Sequence, residues 1–145
     1  MRLQGAIFDF DSTLLDRQGE PRVGLREFLS LMKIEDVWMY LMTDQDRGPV
    51  QSAVEHAGLA GFFRGVMAAP EHHSTITDEE LYEKTVRRLR TARRATVIFT
   101  GRESVLRAAK AADFQVVLVQ DAPGEEARAL ADQVIRDYRE MLHRE

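Results

Sequence analysis

Two aspartates separated by one residue are the clearest candidates for chemistry in this sequence. They lie in the segment AIFDFDSTLL, where an apolar run ends in Asp9 and Asp11. A carboxylate can attack a phosphoryl group and form a covalent intermediate, while a second carboxyl protonates the leaving oxygen and later activates water. Residues i and i+2 of an extended segment point to the same side, so we expect both carboxyls to face one site. The competing interpretation is a loop whose two aspartates are merely solvated or cap a turn.

The elements that must position these residues alternate between short β-rich runs and longer stretches of helical period. This pattern predicts an α/β fold, with a parallel sheet covered by helices on both faces. The predicted strands cover residues 3–9, 37–42, 66–68, 95–100 and 115–119. Helices are predicted from Pro21 through Met32, from Pro49 to Gly58, from Thr77 to about residue 92, over residues 103–112, and over residues 125–142. The pair Thr77 and Glu80 has the spacing of a capping box.

Composition limits the classes of protein that remain. The 145 residues suit a single domain over residues 1–145, and the absence of cysteine excludes disulfides, thiolate metal sites and thiol nucleophiles. A net charge of −4 argues against binding to nucleic acid or an anionic membrane. The longest apolar run is far shorter than the roughly 20 residues of a membrane span. We therefore expect a soluble, cytoplasmic protein; its oligomeric state is not determined by the sequence.

The motif D-x-D-x-T over residues 9–13 resembles the nucleophile motif of the haloacid dehalogenase superfamily. The resemblance implies a Rossmann-like three-layer sandwich with a five-stranded parallel sheet in the order 5-4-1-2-3. It also implies that Asp9 is the nucleophile, that Asp11 is the general acid and base, and that the Thr43 hydroxyl holds a phosphoryl oxygen. The intervals between the predicted elements are too short for a cap domain. The resemblance then implies an open cleft that either admits large phosphorylated substrates or is covered by a neighbouring subunit.

The strand order implied by the resemblance places the carboxyl ends of strands 1, 2 and 4 at one edge of the sheet, where open α/β sheets bind ligands. Thr43, Asp44 and Arg102 are therefore the expected substrate-binding residues. The expected cofactor is Mg²⁺, held by Asp9, Asp11 and Glu103.

Two departures from the family pattern leave two hypotheses open. The family carries a lysine before strand 4, but in the corresponding stretch, which begins at His72, the first lysine is Lys84, and Arg102 lies near the position of a metal-binding acid. The first hypothesis is hydrolysis of phosphomonoesters through an aspartyl phosphate at Asp9. The alternative is a catalytically impaired domain that binds a ligand or a protein partner, in which Arg102 pairs with Asp9 or Asp11 in place of the metal. A phosphoacceptor receiver domain is disfavoured, because its aspartate would follow the third strand.

Overall fold

A six-stranded parallel sheet forms the centre of the computed structural model, which describes residues 2–142. The strands lie in the order β3-β2-β1-β4-β5-β6. Their bounds are β1 Gly5–Asp9, β2 Trp38–Thr43, β3 Val66–Ala68, β4 Thr96–Thr100, β5 Gln115–Val119 and β6 Gln133–Ile135. All five pairings are parallel, and β1 lies between β2 and β4. The predicted order of the first five strands is therefore confirmed.

Helices cover both faces of the sheet. Their bounds are α1 Phe10–Thr13, α2 Leu25–Ile34, α3 Arg47–His56, α4 Glu79–Leu89, α5 Glu103–Ala111 and α6 Glu125–Leu130. Two separate apolar clusters result: one contains the buried side chains of α2 and α3, and the other those of α4 and α5. Alternate residues of β1 enter opposite clusters, with Phe8 in the first and Ile7 in the second. The predicted three-layer α/β arrangement is confirmed.

The prediction of five strands and one closing helix is wrong. In place of a helix over residues 125–142, α6 ends at Leu130, β6 follows, and a 3-10 turn covers Tyr138–Met141. The apolar residues of this segment have a helical spacing, but Val134 and Ile135 pack against opposite faces of the sheet. Pairing with the exposed edge of β5 supplies backbone hydrogen bonds that the periodicity does not reveal.

Several predicted helix ends also move. Asp78 rather than Thr77 caps α4, since its carboxylate accepts a hydrogen bond from the Glu80 backbone nitrogen. The helix ends at Leu89 because the next residue, Arg90, has a left-handed backbone with φ 60°. Pro21 opens no helix; it forms an isolated antiparallel bridge with Leu15. None of these shifts alters the sheet.

The sheet brings the ends of three strands together. Asp9, the last residue of β1, is level with Met42 in β2, and Phe8 is level with Phe99 in β4. The side chains that end β1, β2 and β4 consequently lie at one edge, as expected for parallel neighbours. Within residues 2–142, no helix is long and apolar enough to cross a membrane.

Candidate active site

Three buried polar side chains mark the carboxyl edge of the sheet. Asp9 ends β1, Thr43 ends β2 and Thr100 ends β4, and each is at most 1% exposed. The chain turns into α1 directly after Asp9, so Asp11 lies on a helical turn and not on an extended segment. The assumption that Asp9 and Asp11 lie on one extended segment is therefore wrong. The tight turn nevertheless directs both carboxyls toward the same group, the guanidinium of Arg102.

Asp9 has hydrogen-bond donors on both carboxylate oxygens. Its Oδ2 accepts from the Ser12 hydroxyl at 2.7 Å, the Thr100 hydroxyl at 2.8 Å and Arg102 Nε at 2.8 Å. Its Oδ1 accepts from Arg102 Nη2 at 2.9 Å. The parallel contacts to Nε and Nη2 form a two-pronged arginine–carboxylate pair, the strongest common geometry for such a pair. Asp9 is thus a buried carboxylate with a partner on each oxygen.

Arg102 contacts three carboxylates with one guanidinium. Besides the pair with Asp9, its Nη1 donates to Asp44 Oδ2 at 3.0 Å, and its Nη2 lies 3.6 Å from Asp11 Oδ2. Burial alone would lower the pKa of Arg102, but hydrogen bonds and charge attraction from Asp9 and then Asp44 outweigh it and raise the pKa above its ordinary value. The guanidinium therefore stays charged throughout the physiological pH range.

Asp11 is held by the loop after β2. Its Oδ1 accepts from the Thr43 hydroxyl at 2.7 Å and from Gln45 Nε2 at 2.7 Å, and its Oδ2 accepts from the Asp44 backbone nitrogen at 2.9 Å. Asp44 Oδ1, the carboxylate oxygen that does not contact Arg102, accepts a hydrogen bond from the Ile76 backbone nitrogen at 2.9 Å. The site therefore joins the ends of β1, β2 and β4 to the loop before α4.

Sequence reasoning identified Asp9, Asp11, Thr43, Asp44 and Arg102, and the structure brings all five together. It overlooked Ser12, Thr100 and Gln45. Thr100 carried a signal that could have found it, because it ends an apolar strand in the same way as Thr43. Ser12 lies beside the aspartates, and its hydroxyl also accepts a hydrogen bond from the Gly101 backbone nitrogen at 2.9 Å. The contact of Gln45 depends on the path of a loop, which no local pattern indicates.

Glu103, the third expected metal ligand, and Lys84 form their contacts outside this group. Glu103 is exposed on the first turn of α5, and its ion-pair partner is Arg107, at 3.7 Å. Lys84 is half-buried on α4, and its Nζ lies 3.5 Å from His72 Nδ1. The structure therefore does not bring Glu103 to the Asp9 carboxylate, and it gives Lys84 a contact with the His72 loop.

These residues do not fit a magnesium site. Mg²⁺ needs oxygen ligands with free lone pairs in a near-octahedral arrangement. Here the Asp9 oxygens accept four hydrogen bonds, those of Asp11 accept three, and a guanidinium lies between them. Within residues 2–142, no group of three or more histidine, aspartate or glutamate side chains could hold a metal ion. The positive charge at this site is supplied by Arg102.

Comparison with known proteins places this geometry in a known fold. No protein-family model and no curated protein matches the chain. Among solved structures, CbbY from Rhodobacter sphaeroides in complex with phosphate superposes with a TM-score of 0.80, at 15% identity over 96% of both chains. A haloacid dehalogenase-like hydrolase from Streptococcus pneumoniae gives a TM-score of 0.76, at 13% identity over 97% of both chains. The chain adopts the haloacid dehalogenase fold.

Longer members of this fold match over only part of their length. The L-2-haloacid dehalogenase from Xanthobacter autotrophicus has a TM-score of 0.71 and 14% identity, with 84% of this chain covering 59% of that one. This chain also covers 58% of a putative beta-phosphoglucomutase from Thermotoga maritima and 55% of a second dehalogenase structure. The fold that the D-x-D-x-T resemblance implied is therefore confirmed, whereas identities this low say nothing about activity.

Proposed function

We propose that this chain is a haloacid dehalogenase-fold domain that does not hydrolyse phosphomonoesters through Asp9 and acts instead as a binding module. In this proposal the Arg102 guanidinium is the permanent counter-ion of the site and takes the place of a catalytic metal. The mouth of the site is open to solvent, since the side chains of Arg102 and Asp44 are 34% and 35% exposed. We accordingly keep the expectation of an uncapped cleft.

The observation that carries the proposal is the state of the Asp9 carboxylate. A nucleophile needs an oxygen that can reach the phosphorus atom, whereas the Asp9 side chain is 1% exposed and both of its oxygens are paired with Arg102. Freeing it would require breaking the pair with Arg102. Separating a buried ion pair costs about 3–5 kcal/mol. Such a cost would slow attack by roughly 10²–10⁴-fold.

The charges at the mouth of the site also disfavour a phosphoryl group. Asp9, Asp11 and Asp44 carry three negative charges against the single guanidinium of Arg102. At an effective dielectric of 20, two like unit charges 4 Å apart repel by about 4 kcal/mol. A phosphorylated substrate, which the phosphate-bound relative makes a natural candidate, would therefore need a second cation close to Asp11 or Asp44.

Phosphomonoester hydrolysis is the second candidate function, and one observation favours it: the three residues assigned to that chemistry, Asp9, Asp11 and Thr43, do converge. An assay with p-nitrophenyl phosphate and Mg²⁺ separates the two candidates. We expect the wild-type protein to show no more activity than Asp9→Asn, with Asp113→Asn as a control at an exposed loop. Magnesium-dependent turnover by the wild type and the control, lost only in Asp9→Asn, would establish the phosphatase and overturn the proposal.

A further inference from the structure

A cavity of about 510 Å³ lies beside the site, between the loop that follows α1 and the turn that follows β6. We call it the Arg22 cavity. Three arginines line it, Arg17 and Arg22 from the first segment and Arg136 from the second. Asp11, Asp16 and Asp137 line it as well, so its formal charges balance. Its chemistry therefore depends on which of these groups are already engaged.

The carboxylates of the cavity have partners elsewhere. Asp16 Oδ1 accepts from the backbone nitrogens of Gln18 and Glu20, at 2.9 and 3.0 Å. Asp137 accepts from Nε and Nη2 of Arg139, at 3.0 and 2.8 Å. Asp11 is held by the loop after β2, as described above. The negative charges are thus largely neutralised or stabilised by hydrogen bonds outside the cavity.

The arginines are not engaged in the same way. Within residues 2–142, the side chains of Arg17 and Arg22 form no hydrogen bond or ion pair. Arg22 Nε is the one buried side-chain nitrogen or oxygen of this range without a hydrogen-bond partner. Arg136 is 72% exposed, and its Nε lies 3.9 Å from Glu140 Oε2, which is too far for a hydrogen bond. The cavity therefore has guanidinium donors to spare.

A buried guanidinium nitrogen without a hydrogen-bond partner, such as Arg22 Nε, is costly because burial removes water that nothing replaces. A bound anion would remove that cost. We propose that the Arg22 cavity binds a small organic anion through Arg22, with Arg17 and Arg136 at its rim. The guanidinium fork matches the oxygens of a carboxylate or a phosphonate, so the ligand class is an oxyanion and not a cation or a neutral molecule.

The remaining wall of the cavity indicates that this anion carries an apolar part. Leu15 and Val23 line the cavity, and Val23 is 57% exposed. An aryl or alkyl group on the ligand would cover these side chains, and removing their apolar surface from water would stabilise the complex. The ligand is therefore an amphipathic anion. The site uses neither Asp9 nor Arg102, so the inference goes beyond the proposed function and does not depend on it.

Nuclear magnetic resonance titration at constant ionic strength tests this site, with the Nε–Hε signal of Arg22 as the readout. The probes are phenylphosphonate and benzoate as amphipathic anions, inorganic phosphate as an anion without an apolar part, and benzyl alcohol as the neutral counterpart. Phenylphosphonate cannot be hydrolysed, so the result is independent of phosphatase activity. We expect saturable shifts with both amphipathic anions, weaker binding of inorganic phosphate, and no saturable shift with benzyl alcohol.

Variants assign the binding to the arginines, followed through the backbone amides of Leu15 and Val23. Arg136→Gln, at a largely exposed position, should weaken binding about tenfold, since it removes a charge-assisted hydrogen bond to the anion. Arg22→Gln should abolish saturation, and Arg128→Gln, exposed on α6, should match the wild type. The inference is overturned if the wild-type Arg22 signal does not move, if benzyl alcohol binds as well as benzoate, or if Arg136→Gln and Arg128→Gln bind like the wild type.

Discussion

Replacing Arg102 with alanine should both destabilise the protein and create a magnesium site. Asp9, whose side chain is 1% exposed in the wild type, keeps hydrogen bonds only from the hydroxyls of Ser12 and Thr100 after this substitution. Removing one partner of a buried pair costs about 3–5 kcal/mol. One third of the Arg102 side chain is exposed, so we expect the lower end, about 3 kcal/mol. For a domain of this size, that loss lowers Tm by roughly 6–12 °C.

Magnesium should restore much of the lost stability in this variant. Without the guanidinium, the carboxylates of Asp9, Asp11 and Asp44 lose the cation that each of them contacts, and carboxylate oxygens are the donors that Mg²⁺ prefers. A ligand present at 100 times its Kd stabilises the folded state by about 2.7 kcal/mol. Differential scanning calorimetry with and without Mg²⁺ measures both effects. Two comparisons are informative: Arg102→Lys, which keeps the charge without the fork, and Arg107→Ala, an exposed arginine on α5.

The expected order of Tm without Mg²⁺ is wild type and Arg107→Ala together, then Arg102→Lys, then Arg102→Ala. Mg²⁺ should raise the Tm of Arg102→Ala and leave that of the wild type unchanged. The reasoning about the buried pair is refuted if Arg102→Ala melts at the wild-type temperature. It is equally refuted if Mg²⁺ stabilises the wild type as much as the variant, since the guanidinium would then not occupy the place of a cation.

Three further experiments test the rest of the fold. Thr100→Val keeps the shape of a fully buried side chain but removes its hydrogen bond to the Asp9 carboxylate. The free energy of unfolding, measured by urea denaturation, should fall by about 1.5–3 kcal/mol. A fall of less than about 0.5 kcal/mol would argue against that bond. Gly24→Ala should lower the free energy of unfolding more than Gly19→Ala does in the same assay. Both glycines have φ 80°, but only the Cβ at Gly24 would lie 2.6 Å from a backbone nitrogen, that of Arg139. Equal losses would contradict the packing of the Tyr138–Met141 turn against the start of α2. A hydrogen bond from Arg93 lowers the pKa of Glu83 below its ordinary value of 4.5, so this carboxyl stabilises the fold above that pH and stops doing so as pH falls through the lowered pKa. Arg93→Gln should therefore make the free energy of unfolding fall less steeply as the pH is lowered. An unchanged pH dependence would contradict a stabilising contact between Arg93 and Glu83.

Much of the fold could be predicted because its signals are local. The strand that ends in Asp9 and the strand that ends in Thr43 are continuous apolar runs buried on both faces, as parallel strands are. β6 could not be predicted in the same way. It has only three residues, and its position depends on the free edge of β5, a long-range contact that the helical spacing around it conceals.

In the candidate site, too, the residues could be predicted from local sequence, whereas their contacts could not. The D-x-D-x-T motif and the end of the second strand predict Asp9, Asp11 and Thr43 as site residues. Arg102 was predicted because it lies near the position of an expected metal-binding acid. What the sequence left open was whether that arginine faces solvent, substrate or the aspartates. The two-pronged contact with Asp9 depends on β4 lying directly beside β1, which is a property of the folded sheet and not of either segment.

A crystal structure of the wild-type protein grown with Mn²⁺, a magnesium substitute that anomalous scattering can locate, tests the central claim most directly. The account predicts Nε and Nη2 of Arg102 within hydrogen-bond distance of the two Asp9 oxygens, and no anomalous peak at the ends of β1 and β4. A peak coordinated by Asp9, with the guanidinium turned away from it, would contradict the account.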